Sequence, residues 1–235
     1  MAATVSIVCR HERLEVGGAD AVVAVDVIRA TTTALTAVAA GRRCHPVASI
    51  EAAVALAHAM PDALLAGELG GFRPYGFDLQ NSPTELLART DGHRPMVLLS
   101  TSGTALMCEA ARVSPTYVAC LRNVSATVQA LAGRHQHILL AGADSRGQFR
   151  EEDQLCCVRI AAGLLECGYE LSDTPTQSLH ALWSEAPDDA FMLSRSVSYL
   201  RRTDQLDDLH FVLDHIDDYD SALVMSDGQV LRPTP

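Results

Sequence analysis

Continuous apolar runs, rather than alternating ones, dominate the strand signals of this chain. Residues 20–28 read D-A-V-V-A-V-D-V-I, a β-branched run that predicts a strand buried on both faces. Ala30-Thr31-Thr32-Thr33 then opens an Ala-rich helical stretch that Gly41 ends. The same alternation continues. Residues 44–47, 63–66, 95–100, 113–119 and 137–141 read as strands, and 49–60, 83–89, 104–111, 125–132, 151–167 and 194–202 as helices. Residues 204–220 form an acidic stretch, and Asp227-Gly228 marks a final short hairpin. Strands alternating with helices specify an α/β protein with a mixed, largely parallel sheet.

The chain echoes itself. Residues 22–35 and 95–106 each run from an apolar strand through a polar turn into a Thr-bearing helix start. The echo reads either as two pseudo-symmetric halves, 1–92 and 93–235, which would put two helix N-termini near one crevice, or as the ordinary repetition of any α/β chain. The long segment 67–83 between elements is rich in Gly and polar groups, and segments of that kind carry function more often than packing.

Composition narrows the chemistry. The 18 basic residues are all Arg, against 29 acids, for a net charge of -11. Without Lys there is no Schiff base, no P-loop lysine and no lysine general base. An acidic chain with no basic tract is not expected to hold nucleic acid. No apolar run approaches the ~18 residues of a membrane span, and charge at Arg10, His11, Glu12 and Arg13 argues against a secretory signal. Seven Cys with no C-x-x-C pair, and apolar neighbours around Cys108, Cys120 and Cys167, predict reduced, packed thiols and a cytoplasmic setting. Exposed apolar helices suggest a homodimer.

Candidate chemistry sits at the strand ends. Asp26 is costly there unless it binds a metal or accepts several hydrogen bonds. Arg29 and the hydroxyls of Thr31, Thr32 and Thr33 follow it and could cradle an oxyanion, or else cap the helix beside a buried Asp–Arg pair. Glu68 and Asp78 could add oxygen ligands, and Asn81 and Ser82 could bind substrate or cap the next helix. Four acids after strand ends, Asp26, Glu68, Asp78 and Asp153, suggest Mg²⁺. Ser102, Gly103 and Thr104 supply donors from the second half. T-S-G-T is not the G-x-S-x-G elbow, and neither G-x-G-x-x-G nor G-x-x-x-x-G-K occurs.

D-V-I-R-A-T-T-T (26–33), L-L-A-G-E (64–68), G-F-D-L-Q-N-S-P (76–83), T-S-G-T (101–104) and the later Glu152-Asp153 occur in the order found in the 2-phosphosulfolactate phosphatases, a family this chain resembles over nearly its whole length. The resemblance implies a three-layer α/β/α fold of two related halves and a Mg²⁺-dependent acid phosphatase acting on a small phosphorylated substrate in coenzyme M biosynthesis. It points to Asp26, Arg29, Thr31, Thr32, Glu68, Asp78, Asn81, Ser82, Gly103, Thr104 and Asp153. Asp26, Arg29 and Asp78 are the catalytic candidates; Asp26, Glu68, Asp78 and Asp153 are the metal candidates. The chain departs from the family pattern at Leu69 (usually Arg), Gln80 (usually Gly), Ser102 (usually Asn) and Cys156-Cys157-Val158. Phosphatase chemistry on a changed phosphomonoester is the leading expectation. A silent phosphate-ester-binding protein and a metal-dependent lyase or isomerase are the alternatives.

Overall fold

The computed structural model describes residues 2–9, 14, 16–145 and 147–233; the cluster Arg10, His11, Glu12 and Arg13 lies outside them. The first half runs β1 (Thr4–Cys9), β2 (Ala21–Val25), α1 (Ala30–Ala39), β3 (Cys44–Val47), α2 (Ile50–Ala59), β4 (Leu64–Gly67) and α3 (Pro83–Leu87). Next come β5 (Met96–Leu99), α4 (Gly103–Ala110), β6 (Thr116–Ala119), α5 (Val124–Leu131), β7 (His137–Gly142) and α6 (Glu151–Glu166). The chain closes with β8 (Glu170–Leu171), α7 (Thr174–Trp183), α8 (Arg195–Arg202), α9 (Leu206–Asp214), β9 (Leu223–Ser226) and β10 (Gln229–Leu231). None of the described helices is long and apolar enough to cross a membrane.

All ten strands form one sheet, ordered β4-β5-β3-β10-β9-β6-β2-β7-β1-β8. Strands β4, β5 and β3 are parallel to one another, as are β6, β2, β7, β1 and β8. The antiparallel hairpin β9–β10 joins the two blocks. Strand β5, from beyond residue 92, lies between β3 and β4.

Helices cover both faces, which is why the strand runs are apolar throughout. In β2, Val22 and Ala24 face a core built from α1 and α4, while Ala21, Val23 and Val25 face a second core with α6, α8 and α9. A smaller cluster joins Val97 and Leu99 of β5 to Ala53 of α2. Right-handed twist of roughly 20–25° per strand step accumulates across the steps from β5 to β2. The carboxyl ends of these two strands meet, with Gly103 packed against the Asp26 side chain.

Several elements differ from the sequence reading. Strand β1 replaces what reads only as a charged N-terminal segment; it pairs with β7 from Thr4↔His137 to Cys9↔Gly142. The run 20–28 leaves the ladder at Val25, so Asp26 stands in the turn. Helix α7, capped by Asp173 on the Thr176 N–H at 2.8 Å, has no expected counterpart. The acidic stretch contains α9, and its Asp208 is buried. No disulfide joins the Cys among the described residues, but Cys167 is exposed at the C-cap of α6 rather than packed.

At the amino ends of β3 and β5, Asp91 is clasped by three arginines. It accepts from Arg42 Nη2 at 3.0 Å, Arg89 Nε at 2.9 Å and Arg94 Nη1 at 3.1 Å, and the Arg42 side chain is only 2% exposed. Hydrogen bonding from Arg89 above all holds the Asp91 carboxyl well below the usual carboxylate range. A lowered pKa means stability that is present above the unfolded value and lost as acid protonates the folded group. Asp91→Asn should therefore cost about 1–3 kcal/mol at pH 7, and the gap from wild type should shrink as pH falls below about 4. Urea unfolding at pH 7 and pH 3 checks this; an equal gap at both would contradict it.

Candidate active site

Where β2 ends, the backbone loses its ladder partners and threonine hydroxyls replace them. Thr31 Oγ1 accepts from the Asp26 N–H at 3.0 Å and donates to the Asp26 carbonyl at 2.7 Å; Thr32 Oγ1 donates to the Val27 carbonyl at 2.8 Å. Thr33 is buried in α1, its hydroxyl without a partner among the described residues. None of the three lines the cleft beside Asp26. Thr31 and Thr32 staple the turn; no side chain caps α1, and Arg29 pairs with Asp208 rather than with Asp26. In the second half Thr104 does the same, accepting from the Ser100 N–H at 2.8 Å and donating to the Ser100 carbonyl at 3.1 Å.

These staples aim Asp26 into a cleft of about 400 Å³. Asp153, in the first turn of α6, lines it too and accepts from the Val27 N–H at 2.7 Å, tying α6 to the exit of β2. Glu68 stands at the end of β4, its carboxylate accepting from the Thr101 N–H at 2.7 Å, Thr101 Oγ1 at 2.8 Å and the Gly71 N–H at 2.7 Å. Burial pushes the Asp26 carboxyl up to about 7, against the pull of the Ala30 N–H and with help from the charges of Glu68 and Glu152. Asp153 is raised well above the usual range by burial and then by Asp26 and Glu152, and Glu152 is raised by burial. The floor of the cleft therefore holds protons at neutral pH or attracts a cation.

Positive groups face these acids. Arg29 at the N-cap of α1 is buried, with Nη1 donating to Gln205 Oε1 and to Asp208 Oδ2, both at 2.5 Å. Its remaining edge makes no hydrogen bond among the described residues, and the side chain lines the cleft. Arg150 precedes α6 and is braced by Ser145 and Gln148, with its Nε buried and unpartnered among the described residues. Arg195 and Arg202 of α8 line the same cleft and form no ion pair among the described residues. Ser102, at the N-cap of α4, lines the cleft and makes no side-chain cap; Ser100 Oγ instead accepts from the Thr104 N–H of that helix at 2.9 Å.

Most of the expected residues converge here: Asp26, Arg29, Glu68, Asn81, Ser102 and Asp153 line the cleft, and Gly103 abuts Asp26. Asn81 Oδ1 is buried with no partner among the described residues. Asp78 does not join them. Its carboxylate accepts from the Leu65 N–H at 2.9 Å and lies 3.8 Å from Arg94, an exposed brace of the 67–78 segment. Ser82 caps α3, accepting from the Glu85 N–H at 3.1 Å. The sequence reading missed Arg150, Arg195, Ser196, Ser198, Tyr199 and Arg202. A signal existed: Arg195, Ser198, Tyr199 and Arg202 fall at i, i+3, i+4 and i+7, one face of a helix.

Two outcomes follow from this crowding. A raised carboxyl pKa means that stability falls as pH rises through the folded value. Asp26→Asn should thus melt above wild type in EDTA, by more at pH 8 than at pH 5; calorimetric scans that show the same shift at both would contradict it. An ideal Cβ on Gly103 would lie 2.0 Å from Asp26 Oδ2. Gly103→Ala should displace the carboxylate and lower activity by at least about tenfold, which steady-state kinetics will show.

Comparison with known proteins agrees with the motifs. The family model described as 2-phosphosulpholactate phosphatase matches residues 9–227. A protein of Synechococcus sp. (strain RCC307) named "Probable 2-phosphosulfolactate phosphatase" is 36% identical over 201 residues, 82% of each chain. Proteins with the same name are 35% identical in Carboxydothermus hydrogenoformans, over 79% of this chain and 77% of that one, and 34% identical in Pseudothermotoga lettingae, over 70% and 69%. Matched by the family model over most of its length, the chain belongs to the 2-phosphosulfolactate phosphatase family.

Proposed function

We propose that the cleft hydrolyses a small phosphomonoester that carries a second acidic group, 2-phosphosulfolactate or a near relative, with Mg²⁺ as cofactor. The observation that carries this reading is the convergence of buried acids, two helix starts and four arginines on one cleft of about 400 Å³.

The residues suit Mg²⁺. No three His, Cys, Asp or Glu side chains among the described residues form a cage that could hold a metal ion, but Mg²⁺ needs only one or two carboxylates, with waters and a substrate phosphate completing its shell. Asp26 and Asp153 would hold it, with Glu68 reached through water, and the orphaned Asn81 Oδ1 adds a neutral oxygen in the same cleft. Such an ion offsets the charge that raises both carboxyls and, when bound, neutralises phosphoryl oxygens and lowers the pKa of bound water. Asp78 is left out of the metal set because its carboxylate braces Leu65.

The protein's own groups do the rest. The free edge of Arg29 binds the phosphoryl oxygens. Water attacks phosphorus in line and the P–O bond to the substrate breaks; the proton that the attacking water gives up balances the one that the leaving oxygen takes, so the carboxylates of Asp26 and Asp153 stay free to hold the ion. Arg195 and Arg202 hold the second acid group. They supply, from α8, the charge that Leu69 no longer provides from the 67–78 segment.

The test is phosphate release from a panel of phosphomonoesters, phosphosulfolactate and phospholactate included, with Mg²⁺ and with EDTA. Release is expected only with the metal, fastest on esters with a second acid group. Replacing Arg195 and Arg202 together by Gln should raise KM for those esters about 10- to 100-fold. No release from any ester by folded, metal-loaded protein would overturn the reading.

A further inference from the structure

Arg29 meets substrate with one edge only, and what fixes its other edge comes from far along the chain. Asp208, in α9, is 2% exposed, and its two oxygens divide their work. Oδ1 accepts from Ser82 Oγ at 2.7 Å, Thr84 Oγ1 at 2.6 Å and the Thr84 N–H at 3.2 Å, all at the start of α3. Oδ2 takes Arg29 Nη1 alone. A buried arginine has many rotamers and one useful orientation, and a charge-assisted bond to a carboxylate that is itself fixed on its other oxygen selects that orientation before substrate arrives.

We propose that Asp208 is a positioning residue: it locks the Arg29 guanidinium so that its unpaired edge faces the cleft in register for a phosphoryl group. The inference rests on the phosphate-binding role proposed for Arg29. It also explains why an acid that reads as surface charge is buried against an arginine 179 residues away.

Asp208→Asn separates positioning from scaffolding. The amide keeps an oxygen acceptor for Ser82 and Thr84 but turns a nitrogen toward Arg29, so the α3 contacts persist while Arg29 Nη1 keeps only the neutral Gln205 Oε1. Its kcat/KM on phosphomonoesters should fall about 10- to 100-fold, and its affinity for inorganic phosphate, measured by calorimetry, should fall with it. In an Arg29→Gln background the same substitution should change kcat/KM less than about twofold, because a group that acts through Arg29 has nothing left to position. Thr84→Val, which leaves the Arg29–Asp208 pair and the Ser82 Oγ and Thr84 N–H bonds to Oδ1 in place, should lower Tm and change kcat/KM less than about twofold. Equal losses from Asp208→Asn in both backgrounds, or a loss in Thr84→Val that matches it, would make Asp208 merely structural and overturn the proposal. Wild-type turnover with Asp208→Asn unimpaired sinks the positioning role alone. A wild type that neither hydrolyses phosphomonoesters nor binds inorganic phosphate sinks the proposed function and this inference with it.

Discussion

The architecture depends on keeping two carboxylates, Asp26 and Asp153, together and largely out of water. A buried ionised acid is costly by itself, and a second beside it adds Coulomb repulsion. The neighbourhood is organised around that cost. Thr31 and Thr32 hold the backbone so that Asp26 has one orientation, and the Val27 N–H anchors Asp153. Gly103 has no side chain because the Asp26 carboxylate occupies the space a Cβ would need. Each is a local choice with no packing benefit comparable to that of a core Leu. Together they preserve an unfavourable charge arrangement, as expected where binding a cation or proton is the purpose.

The fold was largely legible because buried strands announce themselves. The apolar runs at β2, β5 and β7, the Ser49 cap of α2 and the Gly41 stop after α1 stand in the structure close to where the sequence puts them. The α/β class follows from their alternation. Site roles were harder to read, since one residue type serves two purposes. A hydroxyl after a strand can face a ligand or replace a lost ladder bond, and nothing in T-T-T states which; here backbone bonds take Thr31 and Thr32. Asp78 looked like Glu68, but its segment turns back on β4 and commits the carboxylate to Leu65. Asp208 was invisible in an acidic stretch because its partner, Arg29, lies in the first turn of α1's entry, and only the tertiary fold brings α9 there.

The joint between the two parallel blocks makes this convergence possible. Parallel strands need crossovers, and each block places its helix starts at its own carboxyl edge. Two blocks in a flat sheet, running in opposite senses, would put those edges far apart. The β9–β10 hairpin joins them with antiparallel pairs, and the accumulated twist swings the β5 edge toward that of β2. The last strands of the chain thus help to assemble a cleft whose best-known motifs lie in its first third.

Charge distribution gives the site its selectivity. A chain at net charge -11 repels small anions at long range, yet the cleft must admit one. Screening confines that repulsion to about 8 Å at physiological salt, so the groups that decide binding are those within a side chain's reach. Around the cleft these are Arg29, Arg150, Arg195 and Arg202. Arginine suits the role better than lysine because it keeps its charge when buried and offers a planar fork that can be anchored on one edge and used on the other. Arg29 shows both halves of that arrangement. Its anchored edge removes conformational freedom before binding, so less of the interaction with substrate is lost to ordering the side chain. Arg195 and Arg202, exposed on α8 and unpaired among the described residues, lack such anchors. The cleft therefore combines an anchored cationic fork beside the acids with two exposed cations at its rim. The reacting phosphoryl group needs fixed geometry, and the rest of the substrate needs only to be recognised.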